Sequence, residues 1–161
     1  MTATLIQRIL VISISVFIAL ILTVFPLTDS LRSWRPDWVL LVLIYWCMAL
    51  PWRMGMLSAG LVGLLMDVLH GSLLGMHALA MMPVIYVVQK FHLQLRAYPV
   101  WQQSFAILFF LIMYRLPIFW LHGMLNNGKP VFGWQEIIAG TLVWPWLFAM
   151  LRRMRRLHKL D

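Results

Sequence analysis

From Ile9 to Phe25 the chain runs 17 residues without a charge. Five further apolar runs follow, at about Pro36–Leu50, Met54–Leu69, Leu73–Val88, Trp101–Leu121 and Trp134–Leu151. The connections between them are short and leave no room for a water-soluble domain. Across 161 residues the composition is 63% hydrophobic and 11% charged, with mean hydropathy +0.86. Soluble domains carry about 25% charged residues. A core of this size cannot hide that much apolar surface from water, so lipid is the expected solvent. The fold class read from this pattern is all-α: a polytopic inner-membrane protein of six transmembrane helices. A single domain over 1–151 is expected, with a short basic cytoplasmic tail over 152–161. A full span needs about 20 residues, and runs two to four are shorter. They either extend into their polar flanks or pack inside the bundle. The rival topology merges runs three and four into one re-entrant hairpin.

The first run is read as a retained helix, because Phe25 is followed by Pro-Leu-Thr-Asp and no small-residue cleavage site. The single cysteine, Cys47, sits in an apolar run and reads as a small buried hydrophobe. The net charge of +8 is unevenly spread: five of the 13 basic residues, Arg152, Arg153, Arg155, Arg156 and Lys159, fall in the last ten positions. Placed behind an apolar helix, they read as a cytoplasmic membrane anchor rather than a nucleic-acid patch. With both termini cytoplasmic, that side holds nine basic residues, adding Arg8, Arg53, Lys90 and Arg96. The outer side holds three, Arg32, Arg35 and Lys129. The bias agrees with the positive-inside rule. Trp34, Trp38, Trp52, Trp101, Trp120 and Trp134 mark run ends, as interfacial tryptophans do.

The polar groups within the runs are few. Gly55, Ala59, Gly63 and Asp67 recur every four residues, which stacks them on one helix face. Gly71 and Gly75 continue the series into the next run. Small residues let helices approach closely in lipid, so the stripe either closes the bundle or docks a partner helix. Three roles are open to Asp67: capping the next helix through amides near Gly71 to Leu74, pairing with Arg115 or Arg35, or serving as a ligand or proton site. An unpaired carboxylate there costs a few kcal/mol. His70 shares its face, but two ligands make no metal site. His77 is expected to bond between helices.

In the stretch Ser33 to Trp46, Pro36 suits a helix start, and Asp37 falls where a negative charge meets the positive helix end. Arg35 then stays at headgroup level. Arg115 precedes Pro117, which frees a carbonyl near Met113. The guanidinium is expected to satisfy that carbonyl, form an ion pair or snorkel outward. Enzyme motifs are absent, and the one carboxylate pair open to acid–base work is Asp37 with Asp67. No catalytic residue, metal or cofactor is called for.

Taken together, Arg35 to Gly55, Gly63 to Met81 and Trp144 to Arg156 resemble the rod shape-determining protein MreD family. The resemblance covers nearly the whole chain, and its most specific parts are the Asp-xxx-Gly-xxx-Gly element and the Arg-Pro-Asp start. It implies a non-enzymatic subunit of the bacterial cell-elongation and peptidoglycan-synthesis complex. Its partners would be the bitopic protein MreC, the filament MreB, the glycosyltransferase RodA and its partner transpeptidase. It also implies a fold like the six-helix substrate-binding subunit of vitamin importers. Asp67, Gly71 and Gly75 correspond to the family's central motif, and Arg35, Pro36 and Asp37 to its second. The resulting expectation is a scaffold that docks a partner's transmembrane helix, with Arg152, Arg153, Arg155 and Arg156 touching anionic lipid or the filament. The alternative is a small-molecule or lipid-binding transport subunit, with Asp67, His70, His77 and Arg115 lining its pocket.

Overall fold

The computed structural model describes residues 2–26, 28, 33–125 and 132–157, with side chains described from residue 9 and not at 125. Arg32, Lys129, Lys159 and the side chain of Arg8, all used in the charge count, lie outside the described residues. Helices make up the described secondary structure: α1 (Thr2–Val24), α2 (Trp38–Ala49), α3 (Met56–His70), α4 (Met76–Lys90), α5 (His92–Ala97), α6 (Val100–Leu125) and α7 (Trp134–Leu157). Six correspond to the six apolar runs. The short α5 was not anticipated, because His92–Ala97 is mixed in polarity and carries no apolar periodicity. Among the described residues one helix, Val100–Met124, is long and apolar enough to cross a membrane.

The core is built around α2. Every residue from Val39 to Met48 is buried, as expected of a helix that is apolar all round. At about 1.5 Å per residue, its 12 residues reach well short of a bilayer. It spends its apolar surface on α1, α4 and α7 instead. Trp46 is fully buried and donates from Nε1 to Ser15 Oγ at 2.7 Å. Cys47 is buried as expected, with its thiol 3.7 Å from the Ile85 carbonyl.

The outer surface is apolar. On α1, Leu10, Ile14, Phe17, Ile18 and Ile21 form one exposed face. On α3, Leu57, Leu61, Leu64, Leu65 and Val68 do the same. Contiguous exposed patches of this kind are uncommon on soluble monomers. Trp34, Trp52, Trp101, Trp120 and Trp134 are exposed near helix ends, whereas Trp46 and Trp144 belong to the core.

The small-residue stripe closes the bundle. Helices α3 and α4 run antiparallel in close contact. A Cβ on Gly63 would lie 2.4 Å from Ala78 Cα, and one on Gly60 would meet the Met82 methyl at 2.3 Å. Ala59 is fully buried in the same seam, and Gly55 faces the Gln89 side chain. The series of fours does not continue past Asp67. Gly71 and Gly75 adopt positive φ, at 61° and 98°, and nothing crowds either. They are turn residues between two helices, because the left-handed conformation penalises a Cβ. The α3–α4 element is therefore two helices and a tight joint.

The helix ends gather into two groups. One end of the bundle holds the C-terminus of α1, the start of α2, the α3–α4 joint and the start of α7. It carries Asp37, Asp67 and Glu136, all the carboxylates among the described residues. The opposite end holds Arg53, Lys90, Arg96 and the arginines of α7. Helix α7 continues unbroken through Leu157, so Arg152, Arg153, Arg155 and Arg156 ride on a helix.

Candidate functional site: the carboxylate end

Helix α3 stops in a Schellman arrangement. The Ser72 amide donates to the Asp67 carbonyl at 3.1 Å and the Gly71 amide to that of Val68 at 3.4 Å. The left-handed residue this requires is Gly71. Gly75 then turns the chain into α4. This geometry brings the first amides of α4 back over the last turn of α3, onto Asp67.

The Asp67 carboxylate is fully buried and fully engaged. It accepts from the Gly75 amide at 2.8 Å, the His77 amide at 2.9 Å and Ser72 Oγ at 3.0 Å. His77 Nδ1 lies 2.7 Å from Oδ1. Two of these donors are orphan amides at a helix N-terminus, which a carboxylate satisfies while meeting the positive end of the helix dipole. Asp67 also stands at the negative end of its own helix, so the bonds from α4 are what make its position tenable. The expected capping role is observed, with the amides of Gly75 and His77 in place of Gly71 to Leu74. Neither Arg35 nor Arg115 is its partner.

Arg115 is tied elsewhere. Its Nε and Nη2 grip Asp37 in a bidentate pair, at 3.1 and 2.9 Å, and Nη2 also pairs with Glu136. The carbonyl freed by Pro117 is not its acceptor. Asp37 occupies the N-cap of α2 but makes no side-chain capping bond; its carboxylate is spent on Arg115. Glu136 lies in the first turn of α7, where a negative charge is favoured. One guanidinium thus joins α6 to the starts of α2 and α7, in the geometry for which arginine is suited. Sequence reasoning missed Glu136 as a partner. The available signal was its predicted location on the same side of the bilayer as Arg115. Arg35 donates to the carbonyls of Thr23 and Phe25, fixing the exit of α1 rather than reaching outward.

These ties surround one cavity of about 330 Å³. Arg35, Pro36, Asp37, His70, His77, Arg115 and Glu136 are among its walls. His70 stacks on His77, with ring centroids 5.4 Å apart and an interplanar angle of 20°, and bonds the Met66 carbonyl through Nδ1 at 2.9 Å. Of the four residues expected to line a pocket, His70, His77 and Arg115 do, while Asp67 is sealed behind them. Arg35, Pro36 and Asp37 line this cavity directly, whereas Asp67, Gly71 and Gly75 lie outside its walls and shape the α3–α4 joint that carries His70, Ser72 and His77 into them.

The chemistry available here is limited. Among the described residues no group of three metal-ligating side chains is gathered. In a serine hydrolase the hydroxyl and the carboxylate bond opposite nitrogens of the histidine. Here Ser72 Oγ, at 3.4 Å, and Asp67 crowd the same Nδ1, so Ser72 has no base. Asp37 and Asp67 engage separate partners and do not form a dyad.

The fold and site define a class: an all-helical protein of membrane type whose interior charges are spent on joining helices. The model of the rod shape-determining protein MreD family matches residues 3–154. The chain is 36% identical over 146 residues to the rod shape-determining protein MreD of Haemophilus influenzae, covering 89% of each chain. No solved structure matches. The chain belongs to the MreD family, which assigns it a role in determining rod cell shape.

Proposed function

We propose that the chain is a non-enzymatic scaffold subunit of the cell-elongation complex, crossing the inner membrane six times with both termini in the cytoplasm. The asymmetry of charge supports the orientation: the arginine end faces the cytoplasm and the carboxylate end faces out. The outer face then docks MreC, and the bundle links that partner to RodA, its partner transpeptidase and, through the cytoplasmic side, MreB. One observation carries the reading. Asp67, Arg115 and Arg35 lock the ends of six helices around a single cavity, which makes a rigid surface rather than a reactive one.

The test is replacement of the chromosomal copy by Asp67→Ala. The expected outcome is rounded cells and loss of MreC crosslinks from positions such as Ser72 and His122 at the cavity rim. Rod-shaped cells with intact crosslinks would contradict the reading.

The cavity itself favours a second reading, a small-molecule carrier like the vitamin-importer subunits. Its 330 Å³ lies at the lower end of ligand-pocket volumes. Native mass spectrometry of purified protein separates the two, because a carrier retains a stoichiometric ligand that Arg115→Gln releases.

A further inference from the structure

At the arginine end a cavity of about 340 Å³ opens between the C-terminus of α2, the α5–α6 turn and α7. Arg96, Arg152 and Arg155 line it, with Gln103 in its wall. A second depression of about 290 Å³ adjoins it across Val100, Phe148 and Arg152, and adds Arg153 and Arg156. Five arginines therefore surround two connected hollows whose remaining walls are largely apolar. The carboxylates among the described residues all stand at the opposite end of the bundle.

Gln103 makes this more than a charged surface. It is 3% exposed, and its Nε2 donates to the carbonyls of Leu95 and Tyr98 at 3.0 and 3.1 Å. That clamp fixes the turn that carries Arg96 over the cavity. Its Oε1 is buried without a partner. Native structures seldom leave such an acceptor unpaired, and a ligand with a hydrogen-bond donor beside its negative charge would complete it.

We propose that this double cavity is a binding site for the phosphate of an anionic membrane lipid, with the arginines holding the phosphate and the Gln103 acceptor meeting a headgroup hydroxyl. Basic pockets between membrane helices bind such headgroups, and guanidinium groups match phosphate oxygens in pairs. The lipid source rests on the membrane reading above; the phosphate chemistry does not. Phosphatidylglycerol provides both the charge and the hydroxyls.

Full-length protein in detergent is titrated with short-chain phosphatidylglycerol, short-chain phosphatidylcholine and inorganic phosphate, with thermal unfolding as the readout. A saturable rise in Tm is expected with phosphatidylglycerol alone. Arg96→Gln combined with Arg152→Gln should weaken that binding about tenfold or more, with the lipid-free Tm unchanged. Arg53→Gln, at the same end but lining neither hollow, should bind as the parent does. Equal loss in Arg53→Gln would reduce the effect to surface charge and overturn the site. Equal binding by the double variant would overturn it as well. Competition by inorganic phosphate at matched concentration would overturn the lipid as the source. Labelling of Arg53→Cys from outside the cell would instead break the orientation under "Proposed function", with lipid binding in detergent unaffected.

Discussion

The two ends of the bundle use charge in opposite ways. At the carboxylate end, Asp67 is buried against the α4 amides and His77, Arg115 is shared by Asp37 and Glu136, and Arg35 is held by the Thr23 and Phe25 carbonyls at the exit of α1. At the other end, five arginines crowd two hollows with no described carboxylate beside them. A charge taken out of water must be matched by a partner, whereas a charge at a headgroup surface keeps water and lipid phosphate as partners. The same chain therefore commits charge to its own fold at one end and, at Arg96, Arg152, Arg153 and Arg156, exposes it at the other.

Four variants test that contrast. The largest effect is expected from Asp67→Ala, which leaves the amides of Gly75 and His77 and the His77 ring without their acceptor. Buried donors left without an acceptor cost about 1–3 kcal/mol each, so a loss of several kcal/mol is expected, measurable as a lower unfolding midpoint in detergent. Next is Gly63→Ala. Its Cβ would press on Ala78 backbone, which cannot rotate away, so overpacking of about 1–3 kcal/mol is expected, with α3 and α4 forced apart. Gly71→Ala meets open space at φ 61° and should cost about 1–2 kcal/mol through conformation alone. Smallest is the triple change of Arg152, Arg153 and Arg156 to Gln, expected to shift lipid-free stability by no more than about 0.5 kcal/mol. A large loss there would erase the distinction between the ends.

Much of the helical layout was legible in the sequence, because apolar runs bounded by Pro and Gly mark helices whatever their neighbours. The α3 stripe was legible too: residues four apart share a face in any helix. Its false continuation through Gly71 and Gly75 arose because spacing carries no backbone angle. A glycine needed for close packing and a glycine needed for positive φ look alike in a string. Asp67 as a cap was readable from its place just before a helix start. The pairing of Arg115 with Asp37 was not, since the two lie 78 positions apart, and which of the facing carboxylates it takes depends on the azimuthal rotation of the helices. The basic hollows were hidden for the same reason: Arg96 and Arg152 become neighbours only when the α5–α6 turn folds back beside α7.

The central claim is that Asp67 ties the end of α3 to the start of α4. Hydrogen exchange across residues 71–77 tests it most directly. The account predicts slow exchange at the Gly75 and His77 amides in the parent protein and fast exchange at both in Asp67→Ala, with the middle of α2 equally protected in each. Fast exchange at Gly75 and His77 in the parent protein would contradict it.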